Sequence, residues 1–271
     1  MMLSNLNNQL AVIEVKGNDA SKFLQSQLTN DINQLNTQQF QFSAHLNNKG
    51  RMLASFIITK YSENSYYLIT PLEIIEKIIP RLKMFILRSM VNITQLTNIN
   101  IIFGNNKTAT GLSLELKANT YLSICEKLPE NISTEIQTWK AFLIDNAIPF
   151  IYLATQELFI PQHVNYDFIN GVSYKKGCYT GQEIVARTHY LGKLKKQMYK
   201  FTCDQEVKIA QKVVSPIIRD QEAGIIVEVI QNTHSHYGLI VLQTECIEKI
   251  FLDIENNNQL LIQAINYDNL N

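Results

Sequence analysis

The stretch SYKKGCYTGQEIVARTHYLGKLKKQ, Ser173–Gln197, sets a cysteine beside a lysine and between two glycines, just ahead of an amphipathic helix predicted from about Gln182. Gly177 and Gly181 let the backbone take positive φ or approach a ligand closely. A glycine loop opening onto a helix N-terminus presents unbonded N–H groups and a partial positive charge, an arrangement that receives anions. The same field suits a thiolate at Cys178, and Lys175, Lys176 and Arg187 would add to it. Glu183 and Arg187 stand four apart, the spacing at which a carboxylate holds a guanidinium on one helix face. The local pattern carries two readings: a working thiol in an anion-binding loop, or a small apolar residue packed under a turn.

Outward from this stretch, the 271 residues are enough to bury a sizeable core, and the length favours two or three modules. Hydrophobic residues at 46% and charged residues at 18% describe a globular chain, not a disordered or fibrous one. Twenty-four basic and twenty-four acidic side chains cancel, so no global field draws the protein to nucleic acid or anionic membrane. The charge is nevertheless uneven. Between Lys175 and Lys200 seven lysines and arginines face one acid, Glu183, whereas from Phe201 onward four basic residues face ten acidic ones. A basic segment beside an acidic module suits a local anionic ligand better than a long polyanion. Cys125, Cys178, Cys203 and Cys246 are spaced neither as a CxxC metal pair nor as a dense disulfide framework. The opening MMLSNLNNQLAVIEV has no basic n-region, and no run approaches the roughly 18 apolar residues of a membrane span. A cytoplasmic protein with free thiols and no membrane partner is the expectation.

Along the chain, Leu10 to Val15 reads as a strand, and DASKFLQSQLTNDI as a helix with Asp19 as N-cap and Phe23, Leu24, Leu28 and Ile32 on one face. RMLASFIITKYSENSYYLIT is two strands about the polar turn 62–65, and VNITQL is another strand. The intervening PLEIIEKIIPRLKMFILRSM is helical, with Pro80 expected to break or kink it. Strand, strand, helix, strand makes much of a ferredoxin-like α+β unit. STEIQTWKAFLIDNAIPF reads as a helix with Ser133 as N-cap and Pro149 beyond its end. The last seventy residues hold six short apolar runs at even spacing, with Gly224 and Gly238 as bends, the texture of a barrel or sandwich.

The segment FIPQHVNYDFINGVSYKKGCYTGQEIVARTHYLGKLKKQMY closely resembles the signature region of the YgfZ family, folate-binding relatives of the glycine cleavage T-protein. The family motif is complete as Lys176, Gly177, Cys178, Tyr179, Thr180, Gly181, Gln182 and Glu183. Resemblance extends to VIEVKGNDASKFLQSQLTNDI, AHLNNKGRMLASF and WKAFLIDNAIPF, and so covers most of the first two hundred residues. It implies an α+β, T-protein-like cloverleaf of three modules around a central opening. Residues 1–48 and 120–198 would form a discontinuous folate-binding module, 49–119 a ferredoxin-like insert, and 199–271 a C-terminal β-barrel.

The same resemblance implies an accessory protein that binds tetrahydrofolate or a one-carbon derivative and supports iron–sulfur cluster assembly or repair and tRNA methylthiolation. Its partners would be iron–sulfur enzymes or assembly proteins, with direct tRNA contact open. Cys178 inherits the role of functional thiol, with Lys176 and Glu183 at its side. Gly177, Tyr179, Thr180, Gly181, Gln182 and Arg187 shape the loop. Trp139 matches the family's aromatic in the helix before the Ala-Ile-Pro turn, and a flat indole suits a pterin face. Leu10 stands where some members carry a second tryptophan. Arg51, in NNKGRM, would present charge towards the opening and the glutamate tail of a folate, or simply flank a hairpin turn. His163, His234 and His236 lack a carboxylate or cysteine at matching spacing, so no metal site is expected. Two alternatives remain: a glycine-cleavage-type aminomethyltransferase, and a non-enzymatic tRNA- or partner-binding module using the basic segment. Whether the chain turns over a substrate stays open.

Overall fold

The computed structural model describes residues 3–218, 221–232, 235–253, 255 and 258–269. In chain order the first elements are Ser4–Asn5 (β1), Leu10–Lys16 (β2), Ala20–Gln27 (α1), Phe40–Leu46 (β3), Met52–Ser62 (β4), Ser65–Pro71 (β5) and Ile75–Lys83 (α2). There follow Asn92–Leu96 (β6), Asn100–Gly104 (β7), Leu112–Lys117 (β8), Thr120–Cys125 (β9), Gln137–Asp145 (α3) and Gln182–Leu191 (α4). The remainder is strand: Lys196–Cys203 (β10), Lys212–Val213 (β11), Gly224–Gln231 (β12), His236–Gln243 (β13), Ile250–Phe251 (β14) and Gln259–Gln263 (β15).

Three sheets organise the chain. Near-continuous apolar runs along β2 and β4 give a five-stranded antiparallel sheet, ordered β3-β4-β5-β2-β6, both faces of which are buried. On one face pack α1 and α2, through Phe23, Leu24, Ile75, Ile78 and Leu82 against Ile13, Val15, Phe56, Ile58 and Leu68. On the other, Leu10, Val12, Ile57 and Ile69 meet a four-stranded sheet, β1-β7-β9-β8, and α3. The third sheet is ordered β11-β12-β13-β10-β15-β14, and paired backbone hydrogen bonds between Val214 and Phe251 (2.9 Å each) bring its two ends together as a barrel. All six strands expected in the last seventy residues are present.

Strand pairing divides the chain differently from the expected boundaries. Residues 48 and 49 lie in the turn joining β3 to β4, which pair from Phe40↔Thr59 to Leu46↔Met52, so a cut there severs a hairpin. β2 also sits between β5 and β6 in the same sheet, which puts the N-terminal strand and α1 in the ferredoxin-like unit. Pro80 neither breaks nor ends its helix at once. It lies late in α2, which runs on to Lys83, so only one main-chain bond near the end is lost. α1 stops at Gln27 and leaves Ile32 in a separate 3-10 turn, and the Asp19 carboxylate accepts from Met90 N (2.7 Å) instead of capping α1. α3 starts a turn later than expected, because Ser133 Oγ accepts from Glu135 N in the preceding turn.

Two histidines, His45 buried and His163 half-buried, make the fold acid-sensitive. His45, on β3, has Nδ1 3.0 Å from Gln27 O and no partner for Nε2. Burial, with the nearby Arg81 cation, pushes it down to about 4 despite its hydrogen bond. His163 is pushed down to about 4 by burial, then by Lys196 and Arg51. In the unfolded chain both titrate near 6.5. The folded protein binds fewer protons than the unfolded chain between these values, so stability is fully present above about pH 6.5 and is lost as pH falls towards 4. The expected loss is on the order of 2–3 kcal/mol per histidine. Urea midpoints across that window should fall with acid, and less steeply in His163→Gln; a flat profile would refute the assignment.

Candidate functional site

The KGCYTGQE loop reaches α4 through a glycine that the geometry requires. Gly181 has φ +80°, and a Cβ there would lie 2.4 Å from Asn47 O and 3.0 Å from Gly50 Cα. Gly50 has φ +70°, and its own Cβ would meet Ile184 Cβ at 2.8 Å. The NNKGRM turn and the start of α4 are thus pressed together at two facing glycines. Within the turn, Asn47 Oδ1 accepts from Lys49 N (2.9 Å) and Arg51 N (3.0 Å).

Lys176 anchors the other end of the loop. Its side chain is buried, and Nζ donates to Leu28 O and Asn30 O, both at 2.7 Å. It also lies 5.2 Å from the centre of the buried Tyr179 ring. Burial pushes this amine down to about 8, with Asp31 pulling the other way. An ammonium occupied by two carbonyls positions the loop; it is not a group offered to a substrate, as pairing it with the thiol in a catalytic role would require.

Cys178, held between these anchors, is exposed, and nothing stands within 4 Å of a Cβ placed on Gly177 beside it. The other thiols, Cys125, Cys203 and Cys246, are buried, and burial pushes each of them up. Glu183 and Arg187 are both exposed on α4, and no ion pair joins them among the described residues. Glu183 instead occupies the first turn of α4, where its charge favours the helix dipole. Thr180 and Gln182 are half-buried, with Gln182 N donating to Tyr179 O (3.2 Å).

A cavity of about 610 Å³ lies beyond the Lys176 anchor, lined by Ser173 just before the loop and by no residue of the motif itself. Its wall comes from four parts of the chain: Asn30, Asp31 and Phe42; Lys117, Phe142 and Asn146; Phe168 and Ser173; and Tyr267. Asn30, whose carbonyl holds Lys176, is one of these wall residues. Phe168 is half exposed and stacks on Tyr267, with ring centres 4.8 Å apart and planes at 21°. Among the described residues three ion pairs form, and in one Lys140 meets the buried Glu228 at 3.1 Å. Glu228 also accepts a short hydrogen bond from Tyr152 O–H. This contact ties α3, which carries Phe142 and Asn146 into the cavity, to β12 of the barrel.

Three expected folate contacts are placed elsewhere. Trp139 is 2% exposed, stacked on Phe142 and edge-on to Phe103, so the indole has no open face for a pterin. Leu10 is 4% exposed in the same apolar layer. Arg51 directs Nη1 to Leu158 O (2.6 Å) and Glu157 O (3.2 Å) and does not line the cavity. Phe142, Phe168 and Tyr267 are the aromatics that do line it. Phe142 lies three residues beyond Trp139 on α3 and was within reach of a helical-face argument, but the pairing of Phe168 with Tyr267 left no mark in either segment. No group of three or more His, Cys, Asp or Glu side chains is gathered to hold a metal among the described residues, and His234 lies outside them. No helix among them is long and apolar enough to cross a membrane.

Residues 7–103 match the GCVT N-terminal domain family. The chain is 29% identical over 290 aligned residues to the tRNA-modifying protein YgfZ of Blochmanniella pennsylvanica, covering 92% of this chain and 85% of that protein. To the tRNA-modifying protein YgfZ of Photorhabdus laumondii it is 30% identical over 221 residues, 69% of this chain and 67% of that one. A crystal structure of glycine cleavage system aminomethyltransferase T from Bartonella henselae superposes with a TM-score of 0.65, over 97% of this chain and 84% of the other, at 13% identity. That likeness establishes the α+β, T-protein-like fold.

Proposed function

The chain belongs to the YgfZ family, and from that premise we propose that it is a folate-binding accessory protein of tRNA modification, supporting iron–sulfur enzymes through the thiol of Cys178. The observation that carries the proposal is the position of that thiol. It is the exposed one of four, on a loop fastened by Lys176 to a wall residue of the cavity. The relatives' designation as tRNA-modifying proteins supplies the process.

The cavity fits a reduced folate in size and chemistry. Pockets for ligands of this size fall between about 300 and 1,000 Å³ and combine apolar walls with a few placed polar groups. Here the flat faces come from Phe142, Phe168 and Tyr267, and the polar groups from Asn30, Asp31 and Asn146. The Asp31 carboxylate already accepts from Gln25 Nε2, Asn33 N and Gln34 Nε2, so a pterin N–H would reach its remaining acceptor site on Oδ2. Bound tetrahydrofolate would supply a carrier for one-carbon units. The chain's residues orient it by stacking, exclude water from its apolar side, and keep Cys178 at the surface of the neighbouring loop. The aminomethyltransferase alternative has the shared fold alone behind it.

The test is tRNA methylthiolation measured by mass spectrometry in cells deprived of their own copy of the protein. Wild-type protein should restore the modified nucleoside. Cys178→Ser, a change at an exposed position that leaves the fold intact, should leave it near the depleted level. Full restoration by Cys178→Ser would contradict the assigned role of the thiol.

A further inference from the structure

The end of α4 carries an aromatic stack, with cations close to it in sequence, that the loop around Cys178 does not use. Tyr174, from the strand of loop before Lys175, lies flat on His189, with ring centres 3.7 Å apart and planes at 15°. Tyr190 stands edge-on to both, at 6.2 Å from Tyr174 and 4.7 Å from His189. His189 is exposed, as is Tyr190, at 65%. Tyr174 stands well before His189 and Tyr190 in sequence, and the three rings meet only because the 173–175 loop folds back on α4.

Of the seven cations between Lys175 and Lys200, Lys176 is buried on main-chain carbonyls, Lys196 pairs with Glu222 (3.3 Å), and Lys200 donates to Asp145 O (2.9 Å). Lys175, Arg187, Lys193 and Lys195 are exposed and form no ion pair among the described residues. Lys175 is next to Tyr174 in sequence, Arg187 is one turn before Tyr190, and Lys193 and Lys195 follow α4 directly. Two carboxylates face the group: Glu183, at the far end of the helix, and Asp167, half-buried and within electrostatic reach of His189. The net field is positive, and the rings at its centre are flat.

We propose that this face binds single-stranded RNA, with an unpaired base stacking on the Tyr174–His189–Tyr190 cluster and the flanking phosphates on Arg187, Lys193, Lys195 and Lys175. An acidic protein surface would satisfy the cations but give the stacked rings no partner, whereas a strand of bases satisfies both. A duplex hides its bases within the stack and would engage the cations alone. The inference deepens the tRNA reading of the preceding section and rests on it for the choice of RNA.

Fluorescence anisotropy of the full chain with a labelled RNA stem-loop, against a duplex of equal charge, tests it. Four phosphate contacts predict a slope of about −3 in log affinity against log salt for the single-stranded loop. Tyr190→Ala should weaken loop binding by about tenfold or more and leave the weaker duplex binding unchanged. The double change Arg187→Gln with Lys193→Gln should flatten the slope by about 1.4. Equal affinity for loop and duplex, or loop affinity untouched by Tyr190→Ala, would overturn the proposal, as would no binding at low salt. Such failures alongside wild-type restoration of tRNA methylthiolation would remove this inference and leave the functional reading standing. RNA binding without restoration would do the reverse.

Discussion

Gly181→Ala is expected to destabilise the protein by about 2–5 kcal/mol, a left-handed residue costing roughly 1–2 and a forced overlap in a packed contact about 1–3. The overlap is specific: the new methyl would sit 2.4 Å from Asn47 O and 3.0 Å from Gly50 Cα, both main-chain atoms that cannot rotate away. For a chain of this size the change corresponds to a fall in Tm of about 10 °C. Relief would require the NNKGRM turn to part from α4, and that movement would release the loop carrying Cys178 from one of its two anchors. Gly177→Ala is the matched control. Its Cβ meets nothing within 4 Å, so stability should change by no more than about 1 kcal/mol. Thermal unfolding of the two variants side by side checks the account; equal losses would show that the glycine contact does not hold the loop.

Phe168→Ala is expected to weaken tetrahydrofolate binding by about tenfold or more, since it removes a large apolar face and a stacking partner from the cavity. Phe168 is half exposed and its truncation leaves the core intact. Trp139→Phe should have the opposite signature. Trp139 packs among Phe103, Phe142 and Phe150, so the smaller ring loosens the core and lowers stability while affinity stays near that of the wild type. The contrast separates an aromatic that lines the cavity from one that supports the wall behind it.

Much of this architecture was legible in the sequence because its signals are local. The six terminal strands announce themselves by short apolar runs, and the loop before α4 by its two glycines around a cysteine. What escaped depends on residues remote in the chain. Trp139 and Phe142 share a helix and both pack on Phe103, and no periodicity says which of them also reaches a cavity and which is sealed in the core. Gly50 read as a hairpin glycine; its contact with Gly181 exists only because β3 and β4 carry their connecting turn to the start of α4. For a related reason strand texture does not reveal that β2 inserts between β5 and β6. Lys176 read as a charge for the thiol, and only its burial shows the ammonium turned to the carbonyls of Leu28 and Asn30.

The central claim is that the cavity shared by four parts of the chain takes a reduced folate, next to the Asn30 carbonyl that anchors the loop of Cys178. Its most direct test is a titration with tetrahydrofolate followed through Trp139, the single tryptophan, which stacks on the wall residue Phe142. The account predicts one saturable transition, preserved in Cys178→Ser and shifted to about tenfold higher concentration or beyond in Phe168→Ala. A signal that never saturates, or one identical in wild type and Phe168→Ala, would contradict it.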